Sequence, residues 1–203
     1  MGRRGAWGLV LGPAAFIAAW VVAGARTPGY EPLSDAISRT AADGAPQRHL
    51  MTTGFVLYAL GSAAGAVALR RAIPGPAWIA SAVNGAATLG VALTPLEHSS
   101  ALDAAHTVTA TTGYVSLALT PLLAAKPLAH AGYRRAAVAS GVTGAVVAAC
   151  LAATAVTEDS GLPQRLGLTT GDVWLIATGT AILTGWTATR PGEAPTDRPA
   201  VAG

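Results

Sequence analysis

One short stretch, EHSSALDAAH at residues 97–106, concentrates side chains that can transfer protons or bind metals. Glu97, His98, Asp103 and His106 all lie within it. Asp103 and His106 are three positions apart, which places them on the same face of a helix. Such a pair can act as a base and the group that orients it. The first chemistry that the sequence predicts is therefore acid–base catalysis, with Asp103, His106 and Glu97 as candidate catalytic residues.

The same stretch permits a second interpretation, a divalent metal site. His98, His106 and Asp103 offer the nitrogen and oxygen ligands that zinc accepts, and His49 can add another. Their spacing matches no strong zinc motif such as HExxH. We therefore expect no metal and no other cofactor, with zinc at these three residues as a weak alternative. A third interpretation is structural: Asp103 caps a helix and His106 is a polar residue at the membrane interface.

Further candidates come from a repeated motif, PQRHLMTTG at residues 46–54 and PQRLGLTTG at residues 163–171. In each copy an arginine stands at the start of a helix, where the backbone favours anions and disfavours a cation. Each arginine therefore needs an anionic partner. One candidate is an acid of the protein or a lipid headgroup, and the other is a phosphate or carboxylate group of a substrate. The candidate substrate-binding residues are Arg48, Arg165, Gln47, Gln164, Ser38 and Glu158.

The long connection before the first copy supplies Ser38 and a fourth candidate catalytic residue, Asp35. Connections of this length, about 22 residues, are usually functional or disordered. Within it, EPLSDAISRTA predicts a short amphipathic helix with Leu33 and Ile37 on its apolar face. Lying over the other helices as a lid, this segment would direct Asp35 and Ser38 towards Arg48.

Membrane-spanning helices must position these residues. Hydrophobic residues make up 52% of the chain and charged residues only 11%, against roughly 25% charged in a soluble domain. Apolar stretches of about 20 residues cross a bilayer as helices. The predicted spans are approximately 7–25, 48–69, 76–95, 103–125, 133–157 and 170–189. The predicted fold class is all-α, a polytopic membrane protein with a bundle over residues 1–190 and a disordered cytoplasmic tail over residues 191–203.

Thr-Thr-Gly also occurs at residues 111–113, so the motif begins at Thr52, Thr111 and Thr169. This spacing is that of one helical hairpin, which predicts three tandem hairpins related by a pseudo-threefold repeat. Thr and Gly give a helix a small-residue face on which a neighbouring helix packs closely. In the middle copy, AHTVTATTG, His106 stands where the other two copies carry Gln. That asymmetry makes His106 the first place to look for chemistry.

Basic residues predict the orientation. The termini and the two loops on their side carry nine of the thirteen basic residues, and the three remaining loops carry eight of the ten acids. By the positive-inside rule, both termini are cytoplasmic, and the candidate residues lie at the extracytoplasmic face of the cell inner membrane. The positive net charge is then a topology signal, and no nucleic-acid partner is expected. The oligomeric state is left open.

The predicted spans contain no Asp, Glu, His, Lys or Arg near their middle. Asp172 stands at the very start of the sixth predicted span and is counted with the outer loops. Pumps and coupled transporters usually keep ionisable groups near the midplane of the membrane, so this pattern disfavours transport. Asn84, halfway along the third span, is expected to hydrogen-bond a neighbouring helix.

Two stretches carry a family resemblance: GYEPLSDAISRTAADGAPQRHLMTTGFVLYALG at residues 29–61 and GLPQRLGLTTGDVW at residues 161–174. They resemble the six-helix bacterial membrane proteins catalogued as domain of unknown function 998, over about residues 7–189. The resemblance implies a fold and a topology and assigns no general activity. The residues that match its polar pattern are Asp35, Ser38, Arg48, Gln164 and Arg165. More distantly, the polar residues resemble those of six-span hydrolases related to alkaline ceramidase, although the His spacing differs.

The sequence therefore predicts an extracytoplasmic polar pocket for a membrane lipid or an isoprenoid-like amphipathic small molecule. The expected activity is acid–base catalysis of a biosynthetic step: cyclisation, isomerisation or hydrolysis. The alternative is a non-catalytic lipid-binding or accessory protein, in which the same residues form an internal belt of salt bridges. A small transporter is the least favoured interpretation.

Overall fold

The computed structural model describes residues 2–157 and 160–188, without the side chains of residues 2 and 3. These residues form six α-helices and one 3-10 helix, and they contain no strand. The α-helices are α1 (Gly2–Arg26), α2 (Arg48–Ala72), α3 (Ala77–Leu93), α4 (Ser100–His130), α5 (Arg134–Thr154) and α6 (Gly161–Leu183). The 3-10 helix, Ile37–Ala41, lies in the connection between α1 and α2. The predicted tail over residues 191–203 lies outside the described residues.

Length and apolar composition suit these helices to a membrane. Within the described part of the chain, five α-helices are long and apolar enough to cross a bilayer, and α3 is apolar but has only 17 residues. A helix satisfies its own backbone hydrogen bonds, which is the requirement for crossing a bilayer core. The chain is therefore a multi-pass membrane protein of the all-α class, in agreement with the composition.

The helices pack as a ring in chain order. Each helix from α1 to α5 contacts the next one, and α6 closes the ring against α1. At one end of the bundle α1, α3 and α5 stop and α2, α4 and α6 start; we call it the long-loop end, because it holds the connection 27–47. The helix α2 packs on α3 as extensively as α3 packs on α4, so the packing does not single out three hairpins. The pseudo-threefold repeat stays a prediction.

Glycine residues allow α1 and α2 to touch backbone to backbone. A Cβ atom added to Gly61 would lie 2.6 Å from the carbonyl oxygen of Gly8 and 2.8 Å from the Cα of Gly12. In lipid, helices gain association energy from such close packing, because the surrounding tails are as apolar as the side chains. The absence of a side chain at these positions is therefore what sets the crossing of α1 over α2.

The glycine of each Thr-Thr-Gly motif is buried against a neighbouring helix, which confirms the packing predicted for it. Gly54 faces Ala19 of α1, and the carbonyl of Gly113 accepts a hydrogen bond of 2.8 Å from Asn84 of α3. Gly171 packs against a leucine of α4. The first two partners belong to the preceding helix in the chain and the third does not. The prediction that Asn84 bonds a neighbouring helix is also confirmed.

The start of α6 differs from the prediction, with a consequence for function. The helix begins at Gly161, nine residues before the predicted start at 170. The prediction began the span after the polar Pro-Gln-Arg motif, because that motif interrupts the apolar run. Proline is nevertheless compatible with a first helical turn, and Arg165 hydrogen-bonds the carbonyl of Gly161 within that turn. Asp172 therefore lies at the midpoint of α6 and is 1% exposed. The expectation that no ionisable residue lies in the middle of a span is wrong, and its argument against transport fails.

Replacing Gly61 by alanine should destabilise the bundle, because the added methyl group has no room between the two backbones. Overpacking of this kind costs roughly 1–3 kcal/mol. The matched control is Gly141→Ala in α5, where nothing lies within 4 Å of an added Cβ. The loss of a helical glycine should there stabilise the fold by about 0.5–1 kcal/mol. Thermal unfolding in detergent compares the two variants, and equal midpoints would contradict the close approach.

Candidate functional site

A narrow cavity lies inside the bundle near the long-loop end. The space between its lining atoms is about 490 Å³, part of which is open to the outside, and about 40 Å³ of it can hold the centre of a water molecule. Its apolar walls include Phe16, Ile37, Phe55, Val91, Ala110 and Leu168. Its polar side chains include Ser38, Tyr58, Asn84, His106, Tyr114 and Gln164.

The 3-10 helix closes the cavity at the long-loop end. The backbone N–H of Ile37 donates to Oε1 of Gln164 at 2.7 Å. The amide nitrogen of Gln164 donates in turn to the hydroxyl of Tyr114 on α4. Ile37 is 2% exposed, and Ser38 is buried beside it. One amide of α6 thus joins the 3-10 helix to α4 across the mouth of the cavity.

The connection 27–47 also accepts hydrogen bonds from backbone N–H groups at the start of α6. The backbone N–H groups of Gly161 and Leu162 donate to the carbonyls of Ser34 (3.2 Å) and Leu33 (2.8 Å). These are N–H groups that a helix start leaves without an intrahelical partner and that an anion would otherwise attract. Because the protein itself binds them, they are not available to a substrate phosphate in this arrangement.

The amphipathic helix predicted for residues 31–41 is wrong in its extent and its faces. Only the five residues from Ile37 form a 3-10 helix, and Leu33 is 63% exposed whereas Ile37 is 2% exposed. The physical reason lies before the helix. The side chain of Asp35 accepts the backbone N–H of Glu31 at 2.9 Å, and Ala36 is extended. A turn followed by an extended residue separates the two apolar side chains.

His106 is 6% exposed on α4 and lines the cavity. Its Nδ1 lies 2.7 Å from the carbonyl oxygen of Thr94 at the end of α3. A carbonyl oxygen only accepts hydrogen bonds, so Nδ1 carries the proton and Nε2 of the neutral ring is the nitrogen that can accept one. This arrangement can exchange a proton with a molecule in the cavity.

The residues predicted to act with His106 lie outside the cavity lining. Oδ1 of Asp103 accepts the backbone N–H of Glu97 at 2.9 Å, and this bond fixes the turn before α4. Ser99 caps α4, since its hydroxyl accepts the backbone N–H of Leu102 at 3.3 Å. Glu97 is exposed, in the left-handed region with a φ of 65°. Asp103 acts electrostatically on His106, but of these three residues the cavity lining contains His106 alone.

Charged residues of the long-loop end pair with one another. Asp35 binds Arg39 at 2.6 Å, which turns it away from the cavity. Arg48 pairs with Asp43, and Nδ1 of His98 lies 2.8 Å from the second oxygen of Asp43. The hydrogen bond from His98, supported by the charge of Arg48, holds the pKa of Asp43 below its usual range. For Arg48 the structure thus provides the internal anionic partner.

Arg165 is held by carbonyl groups and aromatic rings. Its guanidinium donates to the carbonyls of Asp35 and Gly161, both at 2.9 Å, and to the hydroxyl of Tyr30. It also lies over the rings of Trp20 and Tyr30, at 5.6 and 5.4 Å from their centroids. Arg165 therefore joins the connection 27–47 to α6, and it does not line the cavity.

Three predicted substrate-binding or catalytic residues meet at the cavity: Ser38, His106 and Gln164. Gln47 precedes α2 with its side chain making no capping bond, and Glu158 lies outside the described residues. The other predicted residues, which lie outside the lining, are Asp35, Arg48, Glu97, Asp103 and Arg165. Among the described residues no group of three or more His, Cys, Asp or Glu side chains is arranged to hold a metal, so nothing here supports zinc at His98, His106 and Asp103.

Outside the cavity lining, next to Tyr58, lies Asp172, which the sequence analysis counted with the outer loops. The Tyr58 hydroxyl interacts electrostatically with the carboxyl of Asp172 and the hydroxyl of Ser62, yet all these oxygens lack a hydrogen bond of normal geometry. Both oxygens of Asp172 are inaccessible to solvent. The repeat carried a signal for this residue: Asp172 directly follows a Thr-Thr-Gly motif, as Phe55 and Tyr114 do, and both of those line the cavity.

Replacing Gln164 by leucine should free the 3-10 helix from α4 and α6. A buried N–H that loses its partner costs roughly 1–3 kcal/mol, so the amides of residues 37–41 should exchange hydrogen faster and the melting temperature should fall. Gln47→Leu is the matched control, because Gln47 occupies the same motif position without these bonds. If the two variants exchange alike at residues 37–41, Gln164 does not hold this segment.

The connection 27–47 should loosen in acid. The depressed pKa of Asp43 means that its ion pairs stabilise the folded protein above the ordinary aspartate range and are lost as the pH falls through the lowered value. Hydrogen exchange of residues 40–47, corrected for intrinsic rates, should therefore rise at low pH. In the Asp43→Asn variant, hydrogen exchange of these residues should already be fast at neutral pH. An unchanged pH profile in that variant would contradict the assignment.

Comparison with known protein families matches residues 10–181 to the family described as protein of unknown function, DUF998. The matched residues include most of each of the six helices, the 3-10 helix, the cavity lining and Asp172. Searches of curated proteins and of solved structures found no match. Because the family match extends over most of the 203 residues, the chain belongs to the DUF998 family, as its sequence resemblance indicates.

Proposed function

We propose that the chain binds an amphipathic molecule of lipid or isoprenoid type in the cavity beneath the 3-10 helix. The observation that supports this most is the lining of the cavity, whose exposed surface is mainly apolar and whose polar groups come from the 3-10 helix, α2, α3, α4 and α6. Small-molecule sites in proteins usually have this composition. The hydrocarbon part would lie against Phe55 and Leu168, and the polar part would meet His106, Gln164 and Ser38.

The proposal includes a location. The protein lies in the cell inner membrane with both termini in the cytoplasm, so the 3-10 helix closes the cavity from the extracytoplasmic side. The distribution of basic residues supports this orientation. A ligand would then enter from the outer leaflet or from the extracytoplasmic space.

Filling the cavity tests this function. Ala110→Phe places a ring in the cavity, whereas the matched control Val108→Phe places it on the outside of the same helix, where Val108 is 66% exposed. We expect native mass spectrometry to detect a bound amphipathic molecule on the wild-type and Val108→Phe proteins and none on Ala110→Phe. Circular dichroism and size-exclusion chromatography check that both variants fold. Equal occupancy in the two folded variants would reject the cavity as the binding site.

A second function is supported by the state of His106. With Nδ1 bound to Thr94, Nε2 can act as a base on a molecule in the cavity. The protein would then be a membrane enzyme that cyclises, isomerises or hydrolyses its ligand. His106→Gln removes proton transfer and keeps a polar side chain at a position where the two related motifs carry glutamine.

Lipid extracts from membranes that contain either protein distinguish the two functions. A species that accumulates with His106→Gln and is converted by the wild-type protein would support the enzyme. Identical extracts, with the same molecule bound to both proteins, would support a non-catalytic lipid-binding or accessory role.

A further inference from the structure

The carboxyl of Asp172 is deeply buried, and the function proposed above leaves it unused. We infer that Asp172 is a site of proton–cation exchange: it holds a proton while no cation is bound, and it releases that proton when an amphipathic organic cation enters the cavity beside Tyr58. This inference rests on the proposed function, because it uses the same cavity. It further specifies that the ligand is positively charged, which the proposed function leaves open.

The surroundings of Asp172 require its carboxyl group to be protonated when no cation is present. The residue lies at the midpoint of α6, it is 1% exposed, and apart from its interaction with the Tyr58 hydroxyl neither oxygen has a hydrogen bond of normal geometry. A lone carboxylate in such surroundings is strongly disfavoured, because nothing replaces the water that stabilises its charge. Ionisable residues in the middle of membrane helices are rare, and they mark ion and proton sites.

The neighbouring elements present no positive charge to Asp172 among the described residues. Tyr58 of α2 is the titratable side chain that interacts with it. The basic residues of α1, α2 and α5 lie in the first or last turns of those helices. On α4, His106 is bound to Thr94, and Lys126 lies towards the opposite end of the helix. At the start of α6 and in the 3-10 helix, the arginines are bound to the connection 27–47.

Tyr58 links the carboxyl to the cavity. Its ring lines the cavity and lies 5.4 Å from the ring of Phe16, which lies 5.6 Å from the ring of Phe55. Aromatic faces attract organic cations, and they do so more strongly away from water. A phenol hydroxyl both accepts a hydrogen bond from a carboxylic acid and donates one to a carboxylate. Tyr58 can therefore pass the proton of Asp172 into the cavity.

The exchange keeps the buried charge constant. One cation enters, the O–H bond of the Asp172 acid breaks, one proton leaves through the cavity, and the carboxylate that remains is the counter-ion of the cation. The site is neutral before and after, as a region of low dielectric constant demands. A slender alkylammonium suits the narrow cleft better than a broad aromatic cation does.

Calorimetry on the full-length protein in lipid nanodiscs tests this exchange. The probes are a medium-chain alkyltrimethylammonium, whose nitrogen has no proton to release, and its uncharged analogue with a tert-butyl head. Titrations in buffers of different ionisation enthalpy count the protons released. We expect about one proton per cation, and an affinity that rises about tenfold per pH unit while the free acid is protonated. The uncharged analogue should bind without proton release and without dependence on pH.

Two variants complete the test. Asp172→Asn should bind the uncharged analogue like the wild-type protein and lose both the proton release and the pH dependence of cation binding. Glu31→Gln, an exposed acid of the connection 27–47, should behave like the wild type. Cation binding without proton release by the wild-type protein would overturn the exchange, whether or not Asp172→Asn folds. Binding of the uncharged analogue alone would overturn the exchange and leave the proposed function in place, and failure of both probes would overturn both.

Discussion

A polar group inside a membrane bundle must find its partner within the protein, because lipid offers none, and this constraint governs most of the interior of this chain. Asn84 of α3 bonds a carbonyl of α4, and the indole nitrogen of Trp174 on α6 donates to the hydroxyl of Ser140 on α5 at 2.9 Å. Many threonine hydroxyls bond a carbonyl of the preceding turn of their own helix, as Thr120 does with Ser116 at 2.8 Å. The first two bonds join neighbouring helices, and the threonine bonds satisfy the hydroxyl within its own helix.

The same constraint makes its exceptions informative. Tyr58, Ser62 and Asp172 lie close together and contain buried oxygens without hydrogen bonds of normal geometry. Tyr58 lines the cavity, whereas Ser62 and Asp172 lie next to Tyr58 and outside the lining. On α1 and α2, Phe16 and Tyr58 lie between the glycine contact at Gly61 and the contact of Gly54 with Ala19. Tight backbone contacts therefore flank a region in which aromatic rings line a cavity and Tyr58 stands next to a buried acid, Asp172.

The sequence predicted the all-α architecture and its six helices, because long apolar runs mark helices that a bilayer surrounds; five of the six are long and apolar enough to cross it. It also predicted the interhelical bond of Asn84 and the possibility that Arg48 pairs with an acid of the protein. The first depends on a local rule, that a lone amide in lipid needs a partner. The rule that a cation at a helix start needs an anion held for Arg48 and was wrong for Arg165, which carbonyls and aromatic rings hold instead.

What the sequence could not predict depends on contacts between distant segments. The first turn of α6 is polar, and it is helical because the carbonyls of Leu33 and Ser34 satisfy its N–H groups across the bundle. Placing Asp172 correctly required that contact. The cavity likewise combines Ser38 from the 3-10 helix with Gln164 from α6, which no spacing along the chain reveals. His106 was found from sequence because its type stands out within a repeated motif, whereas its binding to Thr94 was not foreseeable.

Infrared spectroscopy tests the central claim, that the bundle encloses an acid without an internal counter-charge. In the difference spectrum between the purified wild-type protein and Asp172→Asn at neutral pH, the account predicts the carbonyl stretch of a protonated carboxylic acid, shifted on transfer to D₂O and weakened when an organic cation binds. The carboxylate bands of an ionised Asp172 in the ligand-free protein would contradict it.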